Sequence, residues 1–124
     1  MSELDPRGLP ADYPFNAEWE VTPREARDLL RGGTRVVLVD VRTAQERAIA
    51  CIDGSLHVPL PEIEARTEEL RDHEDGLVIT VCHHGMRSLR AAAALRRAGF
   101  ENVRSLAGGI HLWSLDIDPA VPIY

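Results

Sequence analysis

The sequence contains no lysine, because all fourteen of its basic residues are arginine. This absence excludes Schiff-base chemistry and a lysine general base. The fourteen basic residues are outnumbered by twenty acidic ones, which gives a net charge of -6, and no basic block is present to neutralise a run of phosphates. We therefore expect no nucleic-acid partner.

Cysteine is scarce, and long apolar runs are missing. The two cysteines, Cys51 and Cys82, are too few for a disulfide framework or a four-cysteine zinc site. The N-terminus lacks the basic and then apolar pattern of a secretory signal, and no apolar run approaches the length of a membrane span. These absences predict a soluble, cytoplasmic chain without a membrane partner, in which the chemistry of a free thiol is the central question.

Strand and helix signals alternate along the 124 residues, a length that suits one domain. Short runs rich in β-branched residues at 36–39 and 77–81 predict buried strands, residues 103–106 can form another strand, and residues 55–60 predict a further extended segment. We expect helices after the capping patterns at Thr22 and Thr43, over residues 61–72 and 88–98, and around Trp113. The alternation predicts an α/β fold with parallel strands and helices on both faces of the sheet. Residues 1–16, rich in proline, predict a tail or an irregular packed arm.

Cys82 follows one predicted strand and precedes a predicted helix, and ligands bind at this edge of parallel sheets. A helix N-terminus and a nearby cation, here Arg87, both favour the thiolate form of a cysteine. The short loop allows backbone N–H groups to converge on the sulfur, and Gly85 permits a turn that other residues resist. These features suit a persulfide that forms when the thiolate attacks a sulfane sulfur and that passes the sulfur to a thiol or cyanide.

The loop sequence Cys82-His83-His84-Gly85-Met86-Arg87-Ser88 resembles the active-site loop of the rhodanese family of sulfurtransferases. Further segments are similar to other motifs of that family: residues 37–42 with Glu46, residues 53–60, residues 106–110 with Trp113, and Pro119, Pro122 and Tyr124. The resemblance covers about residues 19–124. It implies one rhodanese-like domain over residues 17–124, a three-layer fold with a five-stranded parallel sheet between helices.

The resemblance also implies the roles of individual residues. Cys82 would bear the persulfide as the catalytic residue. The remaining loop residues would form the substrate-binding loop: His83, His84, Gly85, Met86, Arg87 and Ser88. Asp40 and Arg42 match positions near the base of the loop, where we expect them to support the site. No metal or organic cofactor is implied. Thiosulfate is the donor that the resemblance implies, with 3-mercaptopyruvate, glutathione persulfide and a protein persulfide still open, and the acceptor is a thiophile such as cyanide, a thiol or a protein.

Two other functions remain open at this stage. A sulfur carrier or persulfide-sensing module would load Cys82 and dock on a partner protein without turnover. A cysteine phosphatase is the more distant alternative, because only four residues separate Cys82 from Arg87 and phosphatase loops have five. Arg87 could clamp the loop carbonyls or contact substrate.

Neither a metal site at the histidines nor a role for Cys51 in sulfur transfer is expected. Adjacent residues such as His83 and His84 are expected to point in different directions, and His57 and His111 are remote in sequence, so we predict no metal site. One loop imidazole could border the pocket, or both could face solvent. Cys51 has no CxxC partner, and we expect it to play no part in sulfur transfer.

Overall fold

The computed structural model describes residues 3–124, which form a five-stranded parallel sheet with helices on both faces. In chain order the elements are β1 (Glu20–Val21), α1 (Pro23–Arg31), β2 (Val36–Asp40), α2 (Ala44–Ile49), β3 (Leu56–His57), β4 (Leu77–Val81), α3 (Met86–Arg97), β5 (Val103–Leu106) and α4 (Gly109–Leu112), with short 3-10 turns at Leu60–Glu62 and Thr67–His73 and a π-turn at Trp113–Ile117. The strand order is β1-β5-β4-β2-β3, and every pair of neighbours is parallel. The predicted α/β class and the five-stranded parallel sheet are confirmed.

The two faces of the sheet bury two separate apolar clusters, because successive side chains of a strand point to opposite faces. On one face Ile79 of β4 shares a cluster with Ala26 of α1 and with Trp113. On the other face Val78 shares a cluster with Leu95 of α3. All five residues of β4 are buried, as expected for a central strand that helices cover on both sides.

Capping boxes start α1 and α2 where the sequence predicts them. The Thr22 hydroxyl accepts a hydrogen bond from the Glu25 backbone, and the Glu25 carboxylate accepts one from the Thr22 backbone. Thr43 and Glu46 repeat the arrangement at α2. Each box satisfies backbone donors that the first turn of a helix leaves unpaired.

Four elements differ from the sequence-based expectation. β1 was not predicted, because two residues are too short to show a pattern. The extended segment at residues 55–60 is a regular strand only at Leu56–His57, although the N–H groups of Val58 and Leu60 also donate to the Asp40 and Val41 carbonyls, each at 3.0 Å. Residues 61–72 were expected to be helical but form 3-10 turns, and α3 begins at Met86, two residues before the expected start.

Residues 3–16 form an irregular arm packed on the domain. Leu9 is fully buried in a small cluster with Ala107 and Leu112. Leu4 pairs with Pro10 in a single bridge that folds the arm back on itself. The arm brings Tyr13 up to the loop that follows β4, where its contacts are described below. Across residues 3–124, no helix combines the length and the apolar character needed to cross a membrane.

Candidate active site

Cys82 lies directly after β4 and before α3, at the carboxyl edge of the sheet. Cys82 is only 1% exposed to solvent. Gly85 turns the chain with a left-handed φ of 110°, so that its backbone N–H donates to Sγ of Cys82 at 3.0 Å. A side chain at Gly85 would be strained at that φ and would crowd the Tyr13 hydroxyl at 3.1 Å. The loop is therefore curled around the sulfur by a position that only glycine fits well.

A second polar group reaches the sulfur from the start of α3. The Ser88 hydroxyl lies 3.3 Å from Sγ of Cys82, and it also bonds the Ser105 hydroxyl of β5 at 2.7 Å. Both serines are fully buried. Ser105 can accept from or donate to Ser88, so Ser88 is free to donate to a sulfur anion. Ser88 belongs to the predicted loop set, whereas Ser105 was not predicted.

The other loop residues line the rim. Met86 is 74% exposed as the first residue of α3. His84 is exposed and His83 is half-buried. The loop thus offers solvent-facing side chains around a sulfur that is itself almost fully covered.

Arg87 binds α2 and not the loop carbonyls. Its guanidinium donates to both carboxylate oxygens of Glu46, at 2.6 and 2.8 Å. The Tyr124 hydroxyl donates to the same carboxylate at 2.6 Å. The Arg87 hydrogen bonds, with the Tyr124 hydroxyl, outweigh burial and hold the pKa of Glu46 far below its ordinary value. The fixed charge of Arg87 is therefore balanced locally, and the pair joins α3 to α2.

Asp40 and Arg42 form a buried ion pair at the base of the loop. Their side chains are 2% and 0% exposed, and the closest oxygen and nitrogen are 2.8 Å apart. Asp40 is in register with Val81, the residue before Cys82. Burial opposes ionisation of Asp40, but the hydrogen bonds and charge of Arg42 outweigh it and lower the pKa of the carboxyl. Arg42 also donates to the Tyr124 hydroxyl at 3.0 Å. These contacts hold the base of the loop and do not touch the sulfur.

Three imidazoles meet beside the loop. The ring centroids of His83 and His84 are 3.9 Å apart, and those of His84 and His111 are 4.9 Å apart. The expectation that adjacent histidines point in different directions does not hold, because the two rings lie side by side with an interplanar angle of 34°. His111 arrives from α4, whose backbone N–H groups at Ile110 and His111 donate to the Cys82 and His83 carbonyls at 2.9 and 3.1 Å.

Two tyrosines also contribute to the site, and no local signal in the sequence identified their roles. The Tyr13 hydroxyl accepts from the Gly108 backbone at 2.9 Å and donates to Glu20 at 2.8 Å. Burial, together with Glu20, raises the pKa of Tyr13, so this hydroxyl keeps its proton. The Tyr124 ring stacks on His83 with centroids 3.9 Å apart. Both residues come from the ends of the chain, and only the fold brings them here.

Cys51 follows α2 and is half-buried, and both cysteines are free thiols. The lack of a role for Cys51 in sulfur transfer stays a prediction.

Comparison with known proteins places these features in a family. The family model of the rhodanese-like domain matches residues 22–116. The probable adenylyltransferase/sulfurtransferase MoeZ of Mycobacterium tuberculosis is 36% identical over 104 residues, which cover 84% of this chain and 26% of that protein. The putative sulfur carrier protein YrkF of Bacillus subtilis is 35% identical over 77 residues, which cover 62% of this chain and 40% of that protein.

A solved sulfurtransferase structure is also similar to this chain. The human single-domain sulfurtransferase TSTD1 superposes with a TM-score of 0.68 at 28% identity, covering 78% of this chain and 96% of that one. The curated relatives are longer proteins, and this chain spans about a quarter of the length of most of them. The similarity to them is therefore a similarity to one of their segments.

Proposed function

Because the match over residues 22–116 makes this chain a member of the rhodanese-like domain family, we propose that it is a sulfurtransferase that carries transferable sulfur as a persulfide on Cys82. The observation that supports this most directly is the pair of donors at the sulfur, the Gly85 N–H at 3.0 Å and the Ser88 hydroxyl at 3.3 Å. Donors of this kind stabilise an anionic sulfur. We assign the chemistry to the domain over residues 17–124, with residues 3–16 as a packed support.

The first half-reaction loads Cys82. Its thiolate attacks the outer sulfur of a sulfane donor, a new S–S bond forms, and the donor's own S–S bond breaks. With thiosulfate as donor, sulfite leaves with the electron pair and the enzyme retains Cys82–S–S⁻. The Gly85 N–H, which already donates to Sγ of Cys82 at 3.0 Å, would stabilise the negative charge.

The second half-reaction discharges the persulfide. Cyanide or a thiolate attacks the outer sulfur, the S–S bond breaks, and its electron pair returns to Cys82 as thiolate. With cyanide the product is thiocyanate. No proton transfer, metal or organic cofactor is needed to balance either half-reaction.

The proposal also concerns the identities of the sulfur donor and the sulfur acceptor. Thiosulfate is proposed on family grounds, and the pairing of Arg87 with Glu46 argues against a strong fixed charge for binding a dianion. A protein donor or acceptor is the second candidate, in which the domain works as a carrier. The similarity to YrkF and the 74% exposure of Met86 at the rim favour that candidate.

Steady-state formation of thiocyanate from thiosulfate and cyanide tests the enzyme. We expect repeated turnovers, a loss of about a thousandfold or more in Cys82→Ser, and nearly full activity in the matched control Cys51→Ser. Loading of one sulfur per chain without repeated turnover would identify the carrier. Equal activity in Cys82→Ser and the unmodified protein would contradict both forms of the proposal.

A further inference from the structure

His83, His84 and His111 form what we term the imidazole cluster. One ring nitrogen from each lies within 4.8 Å of the others. We propose that the imidazole cluster binds one divalent transition-metal ion of the zinc type, with one nitrogen of each histidine as a ligand. The proposal does not depend on sulfur transfer and reverses the sequence-based expectation of no metal site.

The hydrogen bonding of His111 points to a missing ligand. Its Nδ1 is buried and has no hydrogen-bond partner. Within residues 3–124 it is the only buried side-chain nitrogen or oxygen of this kind. Buried polar atoms are nearly always satisfied, because leaving one unpaired costs about 1–3 kcal/mol. A metal ion bound to Nδ1 of His111 would give this nitrogen the partner that it lacks.

His83 is oriented as metal-binding histidines usually are. Its Nε2 lies 2.9 Å from the main-chain oxygen of Tyr124, and donation of a proton there leaves Nδ1 as a free lone pair. An outer hydrogen bond to a carbonyl commonly fixes the tautomer and the ring plane of a metal ligand. Stacking on the Tyr124 ring, with an interplanar angle of 7°, fixes the same plane from its face.

The main chain brings the two elements of the cluster together before any ion binds. The hydrogen bond from the His111 backbone N–H to the His83 carbonyl, at 3.1 Å, ties α4 to the loop. Gly109 makes this approach possible, because a Cβ there would overlap the carbonyls of Cys82 and His83. Zn–N bonds of about 2.0–2.1 Å place tetrahedral ligand nitrogens about 3.3 Å apart. The three nitrogens, which lie within 4.8 Å of one another, would have to approach by side-chain rotation to reach this spacing.

The ligand chemistry selects the class of metal. Three imidazoles and no carboxylate favour zinc, copper or nickel over magnesium or calcium, which prefer oxygen ligands. Three protein ligands leave one position of a tetrahedral ion open to water or a small anion.

Calorimetric titration with Zn²⁺ alone tests the proposal, using the double variant Cys51→Ser/Cys82→Ser so that no thiol can supply a ligand. We expect one Zn²⁺ per chain and a rise in melting temperature with Zn²⁺ concentration. In the same background, His84→Ala should weaken binding at least about a hundredfold. Because His84 is exposed, this variant should fold normally.

Two further variants complete the test. His111→Gln should also lose binding, with the melting temperature in the absence of metal reporting its fold. His73→Ala, at a half-buried histidine in the Thr67–His73 turn outside the cluster, is the matched control and should bind as the parent does. No Zn²⁺ binding by the double variant up to about millimolar concentration would overturn the proposal, as would unchanged affinity in His84→Ala.

Discussion

Two polar clusters flank the Cys82 loop, and they differ in how completely their hydrogen bonds are made. The guanidinium–carboxylate cluster consists of Asp40, Arg42, Glu46 and Arg87, and each of these charges meets an opposite one. The imidazole cluster instead contains a buried nitrogen that no described residue satisfies. A satisfied network holds structure, whereas unsatisfied ligand atoms are available to bind. The comparison assigns support to the first cluster and ligand binding to the second.

Tyr124 contacts both clusters. Its hydroxyl bonds Arg42 and Glu46, while its ring and main-chain oxygen contact His83. Burial, together with the Glu46 carboxylate, raises the pKa of Tyr124. The phenol therefore stays protonated and keeps donating to Glu46. A single side chain thus couples the rigid side of the loop to the side that is open to a ligand.

The largest effect on stability is expected from Asp40→Asn. The substitution keeps the shape of the side chain but leaves the fully buried Arg42 charge without its carboxylate. Breaking a buried pair by removing one partner costs about 3–5 kcal/mol. Urea unfolding at neutral pH measures the loss, and Asp28→Asn, whose side chain is 69% exposed beside Arg27, serves as the control with an expected change below about 1 kcal/mol. A loss of unfolding free energy in Asp40→Asn no larger than that in the control would show that the guanidinium–carboxylate cluster does not support the fold.

A smaller and pH-dependent effect is expected from Glu46→Gln. Glutamine preserves the capping box of α2 but loses the charge that binds Arg87, and we expect a loss of about 1–2 kcal/mol at pH 7. The folded-state pKa of Glu46 lies below its ordinary value of 4.5. Ionised Glu46 therefore stabilises the fold above pH 4.5, and this contribution is lost as the pH falls below that value.

The difference in unfolding free energy between the parent and Glu46→Gln should accordingly shrink between pH 7 and pH 3. Glu25→Gln is the matched control, since Glu25 caps α1 in the same way and no arginine within residues 3–124 forms an ion pair with it. A difference that stayed constant over this range would mean that the Arg87 pair does not set the ionisation of Glu46.

The smallest effect is expected from His84→Ala. Its ring is exposed and its side chain makes no hydrogen bond with a described residue, so the unfolding free energy should change by less than about 0.5 kcal/mol. Thermal and urea unfolding without added metal measure it. A loss above about 1 kcal/mol would show that the imidazole cluster supports the fold as the first cluster does.

The central strands and the loop could be predicted from the sequence because their signals are local. β4 is buried on both faces, and four of its five residues are apolar, while Cys82 through Ser88 are contiguous in sequence. Residues 61–72 were expected to be helical, and the structure has 3-10 helix at Leu60–Glu62 and Thr67–His73 and no α-helix in this range. The ion pair of Glu68 with Arg71 in the second element has the spacing of three residues that suits the eclipsed side chains of a 3-10 helix.

The remaining site residues could not be predicted, because they meet the loop only through the tertiary fold. Tyr13, His111 and Tyr124 come from the arm, α4 and the last position of the chain. Tyr13 and His111 lie in no pattern that marks them as polar support or as a ligand, and the resemblance that includes Tyr124 gave it no role. Arg87 lies in the predicted loop, but its partner Glu46 belongs to α2, and only the tertiary fold brings the two side chains together.

Intact mass after incubation with thiosulfate tests the central claim, that Cys82 carries the sulfur, most directly. We predict the addition of one sulfur atom to the unmodified protein and to Cys51→Ser, its removal by cyanide, and no addition to Cys82→Ser. A cyanide-labile sulfur on Cys82→Ser, or no adduct on the unmodified protein with any sulfane donor, would contradict the account.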